Sequence, residues 1–198
     1  MTPTINNLVS VSRHLGRCLG HVALGLALMG SASAFAQKVK LMTTAGDIVI
    51  ELDASKAPKS VDNFVTYVKA GHYDGTVFHR VISNFMIQGG GMLPDLKEKP
   101  TRSPIVLESM NGLANTKGTV AMARTGVPNS ATSQFFINVK DNDFLNGTRE
   151  GTGYAVFGKV ISGLDVVEKI RATRTDNKGP YENVPVEPII IKQATLEK

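Results

Sequence analysis

Three polar side chains stand among apolar neighbours in segments that alternate like β-strands. In the run Phe-His-Arg-Val-Ile, a period of two places Arg80 on the same face as Phe78 and Ile82. Gln88 and Gln134 each lie two residues from an apolar side chain in later runs. A guanidinium on an apolar face is costly without partners, so this pattern indicates either a structural ion pair or a fixed hydrogen-bond donor beside an apolar pocket. Such a set provides no nucleophile and no titrating acid or base.

The sequence lacks the motifs of most hydrolases and nucleotide-binding enzymes. It contains no G-x-S-x-G elbow, no G-x-x-x-x-G-K-[ST] loop and no H-E-x-x-H pair. The glycines at 151, 153 and 158 loosely imitate a nucleotide loop, but their segment leads into a strand rather than a helix. One cysteine and four histidines leave little material for a metal centre, so we expect neither a metal nor a cofactor. His79 has apolar neighbours in a strand, which favours a structural role over general base catalysis.

The net charge of +5 is a weak indication of an anionic partner. The densest basic stretch of the chain, residues 97–102, is interrupted by Glu98 and Pro100. Nucleic-acid-binding proteins carry denser basic clusters than this. We therefore expect no nucleic-acid partner.

The first 36 residues have the pattern of a cleavable secretory signal peptide. They contain Arg13 and Arg17 but no acidic residue, continue with an apolar run over 19–29, and end in small residues up to Ala36. The apolar run is too short to span a membrane, so we expect no stable membrane association after cleavage. Removing 36 of the 198 residues leaves a domain over 37–198 with 162 residues, no cysteine and a net charge of +3. A chain without thiols suits an oxidising compartment.

The remaining chain shows the pattern of short strands with two helices. Alternation on both sides of a Gly-containing turn predicts a β-hairpin over 38–52. Apolar residues recur with helical spacing after Pro58 and over 164–172. Seven or eight strands with two helices exclude a doubly wound sheet and favour a mainly antiparallel barrel or sandwich. The further strand candidates are 76–82, 85–88, 118–123, 133–139, 154–161 and 188–192.

Four blocks of sequence carry a family resemblance. They read FHRVISNFMIQGG at 78–90, GTVAMA at 118–123, SQFFI at 133–137 and VFGK at 156–159. In this order and spacing they resemble the cyclophilin-type peptidyl-prolyl cis-trans isomerases, over nearly all of 38–197 and most closely the secreted bacterial branch that works in the periplasm. The resemblance implies a mainly β fold, a closed eight-stranded antiparallel barrel capped by two α-helices, with the active site on the barrel's outer surface.

The resemblance also implies a role for each matched residue. Arg80 would be catalytic, Gln88 would hold Arg80 in place, and Gln134 would contact the substrate backbone. The proline ring would enter a pocket, and the peptide would lie along one strand. The pocket residues would be Phe85, Met86, Phe136 and Leu145, and the strand residues Ala123 and Arg124.

Three matched substrate-binding positions depart from the best-known eukaryotic members. Phe144 stands in place of a Trp, Tyr154 in place of a His, and Arg124 in place of an Asn. Loss of the indole N–H donor predicts weak cyclosporin binding. We expect Arg124 to alter which residues are accepted near the proline. Because Arg80 and the pocket are intact, the isomerase reaction should survive.

The expected function is therefore catalysed rotation about X–Pro bonds of exported, proline-containing polypeptides, which assists their folding. By the same resemblance we expect a periplasmic protein, and nothing in the sequence reads as an interface stripe, so we expect a monomer. Two alternatives remain. One is a chaperone-like module that holds clients without catalysis. The other is a secreted sandwich with ligand-binding loops, in which Arg80 would be buried and salt-bridged away from any groove.

Overall fold

The computed structural model describes residues 37–197, and the predicted signal peptide at 1–36 lies outside them. Within that range no helix is long and apolar enough to cross a membrane. The described chain contains two α-helices, α1 (Pro58–Lys69) and α2 (Leu164–Arg171), and one short 3-10 helix (Asp143–Leu145). Its strands are β1 (Lys38–Thr43), β2 (Asp47–Leu52), β3 (Phe78–Ile82), β4 (Met86–Gly89), β5 (Thr119–Met122), β6 (Phe135–Asn138), β7 (Val156–Ser162), β8 (Thr175–Lys178), β9 (Tyr181–Pro185) and β10 (Ile191–Glu197).

Eight of these strands form one sheet in the order β10-β1-β2-β7-β5-β6-β4-β3. Every neighbouring pair in it is antiparallel. Strands β8 and β9 form a separate hairpin. The sequence pattern did not predict this hairpin, because β8 is entirely polar and almost entirely exposed and so shows no apolar alternation.

The predicted closed barrel is an overstatement, because the sheet is curled into a half-barrel. No strand ladder joins its edge strands β3 and β10 among the described residues. The edges approach each other through a single bridge between Val77 and Ile190 and through hydrogen bonds beside it, such as Ile191 N–H to Thr76 O at 2.8 Å. Pro188, just before the bridge, has no N–H with which to extend the pairing.

The main core lies on the inner face of the curled sheet and is covered by both helices. On β4, β5 and β6 every second side chain points into it, as the pleat requires. Helix α1 contributes an apolar stripe, and α2 contributes a shorter one. The inward side chains of these elements are Ile87, Val120, Met122, Phe135, Ile137, Val61, Phe64, Val65, Val68, Val166, Val167 and Ile170.

Helix α1 is capped by a side chain that is distant in sequence. The sequence after Pro58 favours Ser60 as the N-cap, but the N-cap residue is Ala57, which makes no side-chain capping bond. The carboxylate of Glu108 instead accepts hydrogen bonds from the backbone N–H groups of Lys59 and Ser60, at 3.0 and 2.8 Å. An anion at this position satisfies free N–H groups and complements the helix dipole. The long loop that carries Glu108 is thereby fixed to the fold.

Candidate functional site

A second, smaller apolar cluster lies on the outer face of the same sheet. Met86, Ala121 and Phe136 belong to it, while their chain neighbours Ile87 and Val120 belong to the main core. Alternation along the strands therefore separates the two clusters by the thickness of one sheet. The outer cluster also contains buried Leu145 and Val156, with Ile82, Phe85, Leu113, Ala123 and Tyr154 packed against it.

A β-bulge turns Arg80 towards this outer face. Phe78 pairs with Gly89 and Arg80 with Gln88, so two steps on β3 correspond to one step on β4. As a result Phe78 is buried in the main core, whereas Arg80 is half-buried. The predicted common face of Arg80 and Phe78 is therefore wrong, because a period of two fails across a bulge. Ile82, beyond the bulge, packs against the outer cluster as predicted.

The polar side chains predicted for the site form a chain of hydrogen bonds. Arg80 Nη1 lies 3.5 Å from Gln88 Oε1, and Gln88 Nε2 donates to Gln134 Oε1 at 2.8 Å. Gln88 is opposite Phe136 in the β4–β6 ladder. The second glutamine thus orients the first, whose oxygen faces the guanidinium.

The charge of Arg80 is not neutralised by a protein carboxylate. All six ion pairs found within residues 37–197 involve other cations, and none places a carboxylate within 4.0 Å of this guanidinium. A structural ion pair, the first alternative for a guanidinium on an apolar face, is therefore absent from this part of the chain. Four further donor N–H groups are available beside the weak contact to Gln88.

The predicted proline-pocket residues meet beside this polar chain. Met86, Phe136 and Leu145 are buried within the outer cluster, and Phe85 packs against it. Phe136 meets Tyr154 edge to face, with ring centroids 5.6 Å apart. Five segments distant in sequence, on β4, β5, β6, the 3-10 helix and the approach to β7, therefore supply one apolar surface.

Phe144 lies at the rim rather than within the cluster. Its side chain is 72% exposed and stacks on Phe85, with ring centroids 5.5 Å apart. Most of one ring face is therefore available to another molecule.

Arg124 is held in place by two backbone carbonyl groups and one aromatic ring. Its Nε donates to Gly153 O and its Nη1 to Thr125 O, both at 2.9 Å. The guanidinium carbon lies 4.9 Å from the centroid of the Tyr154 ring, within range of a cation–π interaction. Arg124 and Tyr154, two of the three departures from the familiar pattern, are thus partners of each other.

Several residues that lie against the site have no signal in the sequence. Gly91 lies so close to Gln134 that a Cβ added at Gly91 would be 2.4 Å from Gln134 Cγ. Buried asparagines at 115, 138 and 142 lie beneath the pocket. Asn115 lies 23 positions before Asn138, so only the folded chain brings it to the other two.

His79, the neighbour of Arg80 on β3, is buried and uncharged near pH 7. Burial lowers the pKa of His79 to about 4, with the nearby charge of Arg80 lowering it further and a hydrogen bond to Val77 opposing the shift. The imidazole is 6% exposed and neutral near pH 7. Within residues 37–197 no group of three or more His, Cys, Asp or Glu side chains could hold a metal ion.

The arrangement combines an unneutralised guanidinium with an adjoining apolar surface. Charged donors bind an atom that gains electron density more strongly than one that does not. An apolar surface holds an apolar ring without covalent chemistry. The geometry therefore suits a reaction in which charge shifts within a bound group and no bond is made or broken.

Comparison with known proteins supports one family. Residues 38–196 match the family model described as cyclophilin type peptidyl-prolyl cis-trans isomerase/CLD. A peptidyl-prolyl cis-trans isomerase of Streptomyces antibioticus is 56% identical, with 80% of this chain and 97% of that protein covered. Peptidyl-prolyl cis-trans isomerase A of Dickeya dadantii is 52% identical, with 92% and 98% covered.

A solved structure agrees with these matches. The crystal structure of a Cryptosporidium parvum cyclophilin type peptidyl-prolyl cis-trans isomerase has a TM-score of 0.73 and 32% identity, covering 83% of this chain and 99% of that chain. A second structure of the same protein, in the presence of the dipeptide Ala-Pro, has a TM-score of 0.72. By its sequence and its fold, this chain belongs to the cyclophilin-type peptidyl-prolyl cis-trans isomerases and is an enzyme of that activity.

Proposed function

We propose that this isomerase binds an X–Pro segment with the proline ring against the outer cluster and uses Arg80 to stabilise the twisted amide. The single observation that carries this proposal is the half-buried Arg80, without a carboxylate partner in residues 37–197, beside an apolar surface that contains Phe136 and Met86. The same surface would take the peptide along Ala123 and Arg124, with Phe144 and Tyr154 at its edges.

The chemistry of prolyl rotation needs these residue types. Rotation passes through a geometry in which amide resonance is lost, against a barrier of about 18–20 kcal/mol. In that geometry the prolyl nitrogen regains its lone pair and becomes a hydrogen-bond acceptor. A guanidinium directed at the nitrogen therefore binds the twisted amide better than either planar isomer, which is the condition for catalysis.

The energy required is within reach of this site. Uncatalysed exchange takes roughly tens to hundreds of seconds, so exchange in milliseconds needs an acceleration of about 10⁴ or more. That factor corresponds to about 5.5 kcal/mol of transition-state stabilisation. One charge-assisted hydrogen bond, together with the orientation of the bound amide and its partial shielding from water, can supply this amount.

The polar chain has a positioning role in this proposal. Gln134 holds Gln88, and Gln88 Oε1 directs Arg80 by accepting from Nη1. Each glutamine keeps unused donors or acceptors that can meet the backbone of a substrate. The peptide would therefore be bound through its backbone, which fits an enzyme that accepts many sequences.

We further propose that the clients are exported polypeptides and that the enzyme works in the periplasm after cleavage at Ala36. This rests on the basic, apolar and small-residue pattern of the first 36 residues. The match to the Streptomyces antibioticus relative covers 161 residues, close to the length of the proposed mature chain. A domain of that length thus suffices for the family fold.

The proposed enzyme is a monomer with weak affinity for cyclosporin. Phe144 supplies a ring face at the rim but has no N–H donor. A ligand that depends on a donor at this place would lose one hydrogen bond. Inhibition of the isomerase by cyclosporin measures this directly.

A protease-coupled isomerase assay on an X–Pro peptide tests the catalytic proposal. Arg80→Ala should lower kcat/KM by about 10²–10³, the usual cost of removing a donor that acts at the transition state. Arg174→Ala, which removes an exposed arginine near the end of α2, is the matched control and should leave the rate unchanged.

Two results would overturn the proposal. Equal rates for the wild type and Arg80→Ala would remove the guanidinium from the mechanism. Tight client binding together with no acceleration by either protein would favour the alternative of a chaperone-like module that only holds its clients.

A further inference from the structure

We propose that Asn115, Asn138 and Asn142 form a buried amide network that positions the walls of the proline pocket. The proposal rests on the function proposed above for the outer cluster. It assigns positioning roles to three residues that do not touch the substrate. Each of them is at most 1% exposed.

Two of the asparagines hold backbone carbonyl groups of pocket residues. Asn142 Nδ2 donates to Phe85 O at 2.9 Å. Asn115 Nδ2 lies 3.2 Å from Leu145 O and 3.3 Å from Tyr154 O. The network thus reaches three of the segments that supply the apolar surface.

Asn138 joins the other two asparagines. Its Nδ2 donates to Asn115 Oδ1 at 3.1 Å, and its Oδ1 accepts from Asn142 Nδ2 at 2.8 Å. It also donates to Thr119 Oγ1 at 2.9 Å, which ties the network to β5. Because Asn138 is opposite Met86 in the ladder between β6 and β4, the network is built directly beside the pocket strand.

The three pocket residues whose carbonyl groups face the asparagines lie outside the strands, so no strand ladder fixes their backbone. Phe85 lies in the turn between β3 and β4, Leu145 ends the 3-10 helix, and Tyr154 lies in the approach to β7. The carbonyl of Phe85 accepts one backbone N–H, from Val139 at 3.2 Å, and the carbonyl of Leu145 accepts one, from Tyr154 at 2.9 Å. The asparagine donors use the second acceptor site of each carbonyl.

Burial makes this arrangement stiff. Hydrogen bonds away from water are stronger, and removing one member leaves other buried groups without partners. A change in one asparagine should therefore loosen the pocket wall whose carbonyl group it holds. Since the proline ring contacts these walls in both planar isomers and in the twisted state, loosening them weakens all three equally. The expected kinetic result is a higher KM with little change in kcat.

The test compares Asn115→Ala and Asn142→Ala with a control that removes a similar bond elsewhere. Asn63→Ala is suitable, because Asn63 is a buried asparagine on α1 whose Nδ2 donates to the carbonyl of Thr132, outside the pocket. Isomerase kinetics are measured on the purified proteins at a temperature where unfolding curves show each to be folded. We expect KM to rise by about fivefold or more in both network variants and to stay unchanged in Asn63→Ala.

A double-mutant cycle identifies the pathway. Asn142 acts through Phe85, so Asn142→Ala should add little to the KM of Phe85→Ala. Full additivity of the two changes would overturn the assignment for Asn142. An unchanged KM in folded Asn142→Ala would overturn the positioning role of the network. If Asn115→Ala fails to fold, the test rests on Asn142→Ala, which removes fewer hydrogen bonds to pocket carbonyl groups.

The outcome also separates this proposal from the one it rests on. Failure of the proposed function appears as an unchanged rate in Arg80→Ala. Failure of the network appears as a large loss in Arg80→Ala together with wild-type KM values in both asparagine variants.

Discussion

Two arginines at the site differ in how their charges are placed. Arg80 has one long contact, to Gln88 at 3.5 Å, and so keeps most of its donors for a reacting group. Arg124 is fixed by two backbone carbonyls and by the ring of Tyr154, which leaves its charge in one place at the edge of the pocket. We expect such a fixed, half-buried cation to contribute to selectivity, because its position is already set before a substrate arrives.

This placement of Arg124 predicts a preference for peptides with a carboxylate near the proline. An ion pair at a partly exposed site contributes about 0.5–1 kcal/mol. The kcat/KM for a peptide with Glu beside the X–Pro unit should therefore exceed that for its Gln counterpart by about two- to fivefold at low salt. In Arg124→Gln the ratio should fall to about one, whereas Arg174→Gln, with the same change in net charge, should keep it.

Salt provides an internal check on the same measurement. The preference should weaken as ionic strength rises, since exposed charges are screened over roughly 10 Å at 0.1 M salt. A ratio that is identical in wild type and Arg124→Gln would contradict a role for this cation in selectivity.

Among the elements, the strands were the most predictable part of the fold. Alternation on β4, β5 and β6 correctly separates inward from outward side chains, because regular pleating enforces it. The bulge in β3 was not visible in the sequence, since it depends on the register with β4. The β8–β9 hairpin and the contact of Asn115 with Asn138 were also hidden, because neither a polar strand nor a separation of 23 residues produces a periodic apolar signal.

The assignment of site residues rests on the family resemblance rather than on the pattern. The alternation showed only that Arg80, Gln88 and Gln134 lie among apolar side chains, and it did not indicate what they bind. Their actual contact, through Gln88 Nε2 and Gln134 Oε1, joins β4 to a residue 46 positions later. Such pairing of distant segments follows from sheet order, which a period of two does not specify.

The glycine after β4 offers a test at the scale of this element. Gly91 is buried, and a Cβ there would be 2.4 Å from Gln134 Cγ and 2.8 Å from Gln134 Nε2. Gly91→Ala should therefore displace the Gln134 side chain, break its contact with Gln88 and release Arg80. We expect kcat/KM to fall by about tenfold, as for loss of a hydrogen bond worth about 1.4 kcal/mol.

Gly126→Ala is the matched control for this change. A Cβ at Gly126 would meet nothing within 4 Å, and its backbone does not require glycine. Both variants should keep the fold, because the group that the added methyl displaces in Gly91→Ala is a side chain rather than backbone. Wild-type activity in Gly91→Ala would show that the contact between the two glutamines does not position Arg80.

At the scale of the whole molecule, one sheet separates the core from the site. The inner face carries the large cluster and both helices, and the outer face carries the smaller outer cluster. Stability and catalysis can therefore be changed by residues that are neighbours in sequence but lie on opposite faces. His79 and Arg80 are such a pair, since the first is buried and neutral and the second is half-buried beside the pocket.

The burial of His79 predicts that the fold loses stability in mild acid. Its pKa is about 4 in the folded protein and about 6.5 in the unfolded chain, so between these values the unfolded chain binds a proton that the folded protein does not. The contribution of His79 to the free energy of unfolding is therefore fully present above about pH 7. It decreases as the pH falls towards 4, by about 2 kcal/mol between pH 7 and pH 5. Burial also lowers the pKa of His72, which therefore acts in the same direction.

Urea unfolding at pH 7 and pH 5 measures this loss of stability. In His79→Leu the loss should be smaller by about 2 kcal/mol than in the wild type. His72→Gln is the control, because it should retain the contribution of His79. If His79→Leu and the wild type lose equal stability over this range, the acid sensitivity does not come from His79.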